Sequence, residues 1–195
     1  MIKLHLLVNR SALPFFTPLL EKGVVISGST GCTLRNFLCT QLGIADDYLD
    51  QRIQTLFLNA RPVDDVDKAV VTNGSTLALS AAMPGLLGAT MRKGGRYAAF
   101  RKDISQTADA CGICEAPGRV TVKMFNLVAE EIGYQLFQTG VNIDGDDLRR
   151  IAERHNGELI RAIRQAEKDG QRISIDAAFF STLSGQRLQF SVATD

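Results

Sequence analysis

The sequence predicts an α+β protein, with one helix laid across a mixed sheet in the first half and a smaller α+β segment in the second. Three observations carry that reading. Ile2, Leu4, Leu6 and Val8 alternate with polar residues, as in a half-buried strand. Leu34, Phe37, Leu38 and Leu42 fall at helical spacing. Short β-rich runs return between Thr55 and Ala81, broken by Pro62 and by the turn pair Asn73-Gly74.

Each element has a local cause. Ile2 to Val8 alternate with Lys3, His5 and Asn9, which puts the apolar set on one face. Pro14 and Pro18 mark the stretch from Arg10 to Pro18 as a loop. Glu21 to Ser27, centred on Val24-Val25-Ile26, reads as a strand returning antiparallel to the first. Ser29, Thr30 or Thr33 can cap the helix beyond it, and Gly43 is placed to end it. Thr55 to Asn59 is the next strand. Arg61 to Val63 suits an edge because Pro62 lacks a donor. Thr76 to Ala81 closes the set with Leu77 and Leu79 on one face. Strand, strand, helix, strand, short strand, strand is the β-grasp (ubiquitin-like) order, in which the first and last strands pair in parallel at the centre.

Residues 96–195 are read separately. Residues 103–119 lack a period and read as loop. Phe125, Val128, Ala129, Ile132 and Leu136 mark a helix stopped near Gly140. A second helix is expected to start near Asp144 or Asp146 and to bury Leu148, Ile151, Ala152, His155, Leu159, Ile163 and Ala166. Asp169-Gly170 would end it. Ile173, Ile175, Ala177 and Phe179, then Leu188, Phe190 and Val192, read as a hairpin joined near Ser184-Gly185. The expected domains are therefore 1–95, a β-grasp, and 96–195, a small α+β unit of two helices and a β-hairpin. No internal repeat is visible.

Composition narrows the function classes. The chain has 195 residues, 45% apolar and 22% charged, with net charge +1, which suits a globular protein rather than a disordered one. Before and after Gly95 the counts of Lys+Arg against Asp+Glu are 9 to 7 and 13 to 14, so neither half argues for nucleic acid. No apolar run approaches the ~20 residues of a membrane span, and the N-terminus does not read as a secretory signal. The expectation is a cytoplasmic protein without membrane contact. Arg92, Lys93, Arg96, Arg101 and Lys102 form an acid-free basic run, read as a solvated linker or as a docking patch for an acidic partner or an anionic ligand.

The segments Thr55-Leu-Phe-Leu-Asn-Ala-Arg-Pro-Val63 and Asn73-Gly-Ser-Thr-Leu-Ala-Leu-Ser-Ala-Ala-Met-Pro-Gly85, with Gly94-Gly95 beyond them, resemble the ubiquitin-like sulfur carriers. These are the MoaD/ThiS-like family: the small subunit of molybdopterin synthase and the sulfur carrier of the thiamine pathway. The resemblance covers the N-terminal half. It implies a protein carrier rather than a free-standing enzyme, active in molybdenum or tungsten pterin cofactor assembly. Its partners would be an adenylating enzyme or a synthase-type subunit. Gly94 and Gly95 would be the tail whose carboxylate takes up sulfur. Met83-Pro84-Gly85 is a second placement of the tail, with a single glycine. About 100 residues lie beyond Gly95, so the tail reading requires cleavage after it. The other reading makes the pair a hinge and the chain a non-catalytic adaptor.

Cys111-Gly-Ile-Cys114 is the remaining signal. A C-x-x-C pair can hold half a zinc site, exchange thiols or carry sulfur, and this one is similar to the cysteine pair of formate dehydrogenase accessory sulfurtransferases. Cys111 and Cys114 are thus candidate sulfur or thiol residues and candidate zinc ligands. Closing a zinc site would need Cys32, Cys39, His5 or His155, or a second chain in a homodimer. The spacing of Cys32 and Cys39 rejects a plant-type iron–sulfur cluster. His155 reads as a core residue and His5 as an outward strand position. Asp46, Asp47 and Asp50, with Asp64, Asp65 and Asp67, read as solvated turns.

Overall fold

The computed structural model describes residues 1–97, 116–155 and 157–195. Along the chain it contains β1 (Ile2–Val8), a 3-10 turn (Arg10–Phe16), α1 (Thr17–Lys22), β2 (Val24–Thr30) and β3 (Cys32–Thr33). Next are a π-helical segment (Asn36–Gln41), α2 (Asp46–Gln51), β4 (Thr55–Leu58), β5 (Arg61–Pro62), β6 (Val70–Val71), β7 (Thr76–Ser80) and α3 (Gly85–Met91). Then come β8 (Ala116–Phe125), α4 (Asn126–Thr139), β9 (Val141–Asp144), α5 (Gly145–Arg154) and α6 (Glu158–Ala162). The chain ends with β10 (Ile163–Lys168), β11 (Gln171–Ile173), α7 (Ala177–Ser181) and β12 (Arg187–Thr194). The fold is mixed α and β with mixed parallel and antiparallel strands. No described helix is long and apolar enough to cross a membrane.

Two compact units are present, one from Met1–Val24 with Gly133–Asp195 and one from Val25–Ile132. The boundary expected after Gly95 falls inside the second of these. In the Val25–Ile132 unit the strand order is β2-β8-β7-β4-β5. β7 and β8 pair in parallel, from Thr76 opposite Thr121 to Ser80 opposite Phe125. β4 pairs antiparallel with β7 and with β5. The β4–β5 turn is Asn59-Ala60, both with positive φ, the conformation a tight hairpin demands. Leu34, Phe37 and Leu38 are fully buried on one side of the helical segment, with Leu56, Leu77, Leu79, Val122 and Met124 also buried.

In the other unit the order is β11-β10-β1-β12-β9. β1 and β12 are parallel, from Ile2 opposite Leu188 to Val8 opposite Thr194. β10 and β9 flank them antiparallel. Leu4, Leu6, Val8, Leu188, Phe190 and Val192 fill one face, and Phe16, Phe137 and Phe190 meet with ring centroids 5.5–6.0 Å apart. Each unit has a parallel pair at its centre, β7 with β8 and β1 with β12, an antiparallel neighbour on one flank, β4 and β10, and a helical segment between an outer strand and that flank. In one the sequence β2, helix, β4, β5 plays the part that β9, α5, β10, β11 plays in the other. This topological repeat has no counterpart in local sequence similarity.

Several pairings correct the sequence reading. β1 was expected beside β2 and, in parallel, beside β7, but its neighbours are β10 and β12. Alternation specifies which face of a strand is buried, not which strand lies alongside it. The long second helix stops at Arg154. Gly157, at φ +85°, breaks it, and Ile163–Lys168 is a strand held in the ladder of β1. There the tertiary edge overrides the helix propensity of Arg, Gln, Ala, Glu and Lys. Asp169-Gly170 is therefore the β10–β11 turn. The terminal hairpin does not form: Ala177–Ser181 is a helix capped by Asp176, whose Oδ1 accepts the Phe179 N–H at 2.8 Å, and β12 joins β1 and β9. The expected loop from Arg10 to Pro18 is a 3-10 turn running into α1, where Pro18 occupies a first-turn position that needs no donor.

Candidate functional site

The chain emerges from α3 at Arg92 in an extended conformation and enters a pinned turn. Lys93 donates its backbone N–H to the Gln54 carbonyl at 2.7 Å and its ammonium to the Leu49 carbonyl at 2.8 Å. Half-burial, its first cause, lowers the affinity of that ammonium for its proton. Gly94 has φ +59°, a conformation that strains any L side chain, and its N–H donates to Asp64 Oδ1 at 3.0 Å. Gly95 donates to the Arg92 carbonyl at 3.1 Å, and a Cβ placed on it would stand 3.1 Å from that oxygen. Glycine thus relieves backbone strain at Gly94 and a tight backbone approach at Gly95. Cys111 and Cys114, and with them Arg101 and Lys102, lie outside the described residues.

The acidic loops are less independent than their sequence suggests. Arg35, at the start of the crossing helix, donates from Nε to Asp67 Oδ1 at 2.7 Å, from Nη1 to Asp46 Oδ1 at 3.0 Å and from Nη2 to Asp50 Oδ1 at 3.0 Å. Arg35 holds the Asp46 carboxyl below the usual carboxylate range, helped by a hydrogen bond from the Cys39 thiol. Burial pushes that thiol up to about 11, and its bond to Asp46 adds to the effect. Cys39 is therefore a protonated, poorly nucleophilic thiol at neutral pH. Arg35, Asp50, Asp67 and Cys39 also act electrostatically on Lys93. This charge network and the glycine turn form one region, and its polar groups answer one another. Nearby, Glu131 on α4 accepts from Tyr48 Oη at 2.7 Å and from Arg52 Nε at 2.9 Å. Those two donors, Arg52 first, bring its carboxyl down to about 2.

In the other unit His5 and Ser191 stand opposite one another on adjacent parallel strands, and His5 Nδ1 lies 2.9 Å from Ser191 Oγ. They line a shallow cavity of about 320 Å³ with Lys3, Gln138, Glu167 and Gln189. His155 caps α5 and stacks on Phe15, with centroids 4.0 Å apart, so its ring packs rather than ligates. No group of three or more His, Cys, Asp or Glu among the described residues is arranged to hold a metal ion.

Sequence reasoning singled out Gly94 and Gly95 and did not weigh Arg35. The available signal was a lone charge: Arg35 is the one charged residue between Lys22 and Asp46, ahead of two acidic stretches. No protein-family model matches the chain, and comparisons with curated proteins and with solved structures return no match.

Proposed function

We propose that this protein is a non-catalytic binding module of two β-grasp units, related in plan to the sulfur carriers, in which Gly94-Gly95 serves as a structural turn. The strand orders support the β-grasp reading. In the Val25–Ile132 unit, β8 takes the central place beside β7 that a β-grasp gives to its first strand. The observation that carries the functional reading is the same register. The chain continues past Gly95 and returns as β8, so the segment after the glycines belongs to the sheet that precedes them. A carrier tail would have to be released from the sheet it helps to close.

The docking face is the side of that sheet where Phe57, Ala78 and Lys123 stand side by side on β4, β7 and β8, each half-buried. An apolar centre with one cation suits a protein partner with an acidic rim. An adenylating enzyme or synthase-type subunit is the class implied by the resemblance. Phe57→Ser combined with Lys123→Glu abolishes partner capture while leaving the circular dichroism spectrum unchanged; retained capture refutes this face.

The second reading is a sulfur carrier for a molybdenum or tungsten pterin cofactor, discharged after cleavage behind Gly95. The exposed Arg96 and Tyr97 beyond the pair favour it, because a protease can reach an exposed peptide. Intact mass of the protein from its native cells separates the two. The binding module gives the full-length chain only. A product ending at Gly95, with a sulfur-for-oxygen mass gain, establishes the carrier.

A further inference from the structure

The unit that contains both termini carries a second feature, independent of the glycine turn. On α5, Asp147, Arg150, Ile151 and Arg154 have the i, i+3, i+4, i+7 spacing that puts all four on one helix face. Pro18, Leu19 and Lys22 of α1 stand against that face, and the seven residues enclose a hollow of about 160 Å³. Its walls are unequal in charge: Lys22, Arg150 and Arg154 line it with one carboxylate, Asp147, and the Asp144 carboxylate stands 4.0 Å from Lys22 Nζ outside the lining. The Asp147 carboxylate is held inside, with its side chain 11% exposed, and receives Lys22 Nζ at 2.5 and 2.7 Å and Arg150 Nη2 at 3.1 Å. Arg150 is further fixed by donating Nε to the Asp146 carbonyl at 3.2 Å.

Asp147 thus positions two cations before any ligand arrives, which lowers the ordering cost of binding. Arg154 completes the ring differently. Its side chain is exposed and makes no hydrogen bond or ion pair among the described residues, so its guanidinium fork can turn to a ligand. The last turn of α5 favours a cation at that position but satisfies none of the fork's donors. Pro18, Leu19 and Ile151 supply the apolar part of the lining.

We infer that this hollow binds a small oxyanion of the phosphate class, either free or as the terminal group of a phosphorylated metabolite. Its volume is that of about five water molecules. A phosphate group fills it, and a nucleoside has to remain outside. Planar guanidinium forks and a lysine ammonium together recognise phosphate geometry and charge.

The test is titration of inorganic phosphate, and separately of pyrophosphate, into the full-length chain, read by amide chemical shifts and calorimetry. Saturable binding with shifts centred on Lys22, Arg150 and Arg154, weakened by added salt, is the expected result. Arg154→Gln is expected to weaken it by at least about tenfold with unchanged thermal melting. Arg149→Gln, on the neighbouring strip of the same helix, is the control and leaves binding intact. A phosphomonoester that binds more tightly than inorganic phosphate assigns the site to a metabolite, whereas equal binding assigns it to the free anion. Absence of saturation in the millimolar range, equal weakening by Arg149→Gln, or tighter binding of a poly-acidic peptide than of pyrophosphate overturns the proposal.

Discussion

Gly94 donates its backbone N–H to the carboxylate of Asp64 across 3.0 Å, so a residue from an acidic loop holds the turn from which a carrier tail would have to be freed. Lys93 adds a main-chain bond to Gln54 and a side-chain bond to Leu49. The glycine pair is flexible in composition and constrained in place.

Asp64→Ala removes one of these ties. A single hydrogen bond to a charged acceptor contributes on the order of 1.5–3 kcal/mol at most, and this one is exposed, so the turn opens several-fold more often. Limited proteolysis with mapped cleavage sites is expected to show faster cutting around residues 94–97, with the melting temperature little changed. Equal cutting rates would refute the tie.

Glu131 supplies a pH dependence. Its folded-state carboxyl lies near 2, below the ordinary 4.5, because Arg52 and then Tyr48 donate to the ionised form. A depressed carboxyl contributes stability that is fully present above the unfolded value and is lost as pH falls from about 4.5 towards about 2. Denaturant titrations at a series of pH values are expected to find Glu131→Gln less stable than the native chain at neutral pH. The difference narrows through that window and closes below it.

Cys39 is expected to react slowly. A thiol raised from 9.0 to about 11 has about 100-fold less thiolate at neutral pH. Alkylation by iodoacetamide, read at Cys39 by peptide mass spectrometry, should lag an unhindered cysteine by a comparable factor. Asp46→Asn recovers part of the rate, because burial, the larger cause, remains.

Gly145 is a packing prediction. A Cβ on it would stand 2.0 Å from the Leu183 carbonyl oxygen, a backbone atom that cannot rotate aside. Gly145→Ala is expected to cost about 2 kcal/mol or more and to lower the melting temperature by several degrees. Gly185→Ala, at φ +68° in open space, carries only backbone strain and should cost less.

In the first half β1, β2, β4, β5 and β7 were legible, whereas the short β3 and β6 were not, and β8 was read as loop and helix start. Leu34, Phe37, Leu38, Leu77 and Leu79 are buried where periodicity put them, and the stop at Gly43 comes from local chemistry. Ile163–Lys168 was not legible, because its residues favour a helix and only the edge of β1 makes a strand of them. The Arg35 network was equally hidden: Asp46 and Asp50 lie on α2 rather than in the turn the sequence suggested, Asp67 lies in the loop after β5, and only folding brings them to one guanidinium.

Local sequence was enough for the apolar faces and most strand positions of the first half. Those properties depend on neighbours within a turn or two of the chain. Folding of the whole chain was needed to put β1 between β10 and β12, to complete the sheet of β7 with β8, and to tie Gly94-Gly95 to Asp64 and Arg92. Strand partnership is chosen among many compatible edges, and the choice is made by the burial of whole sheet faces, which no local pattern encodes.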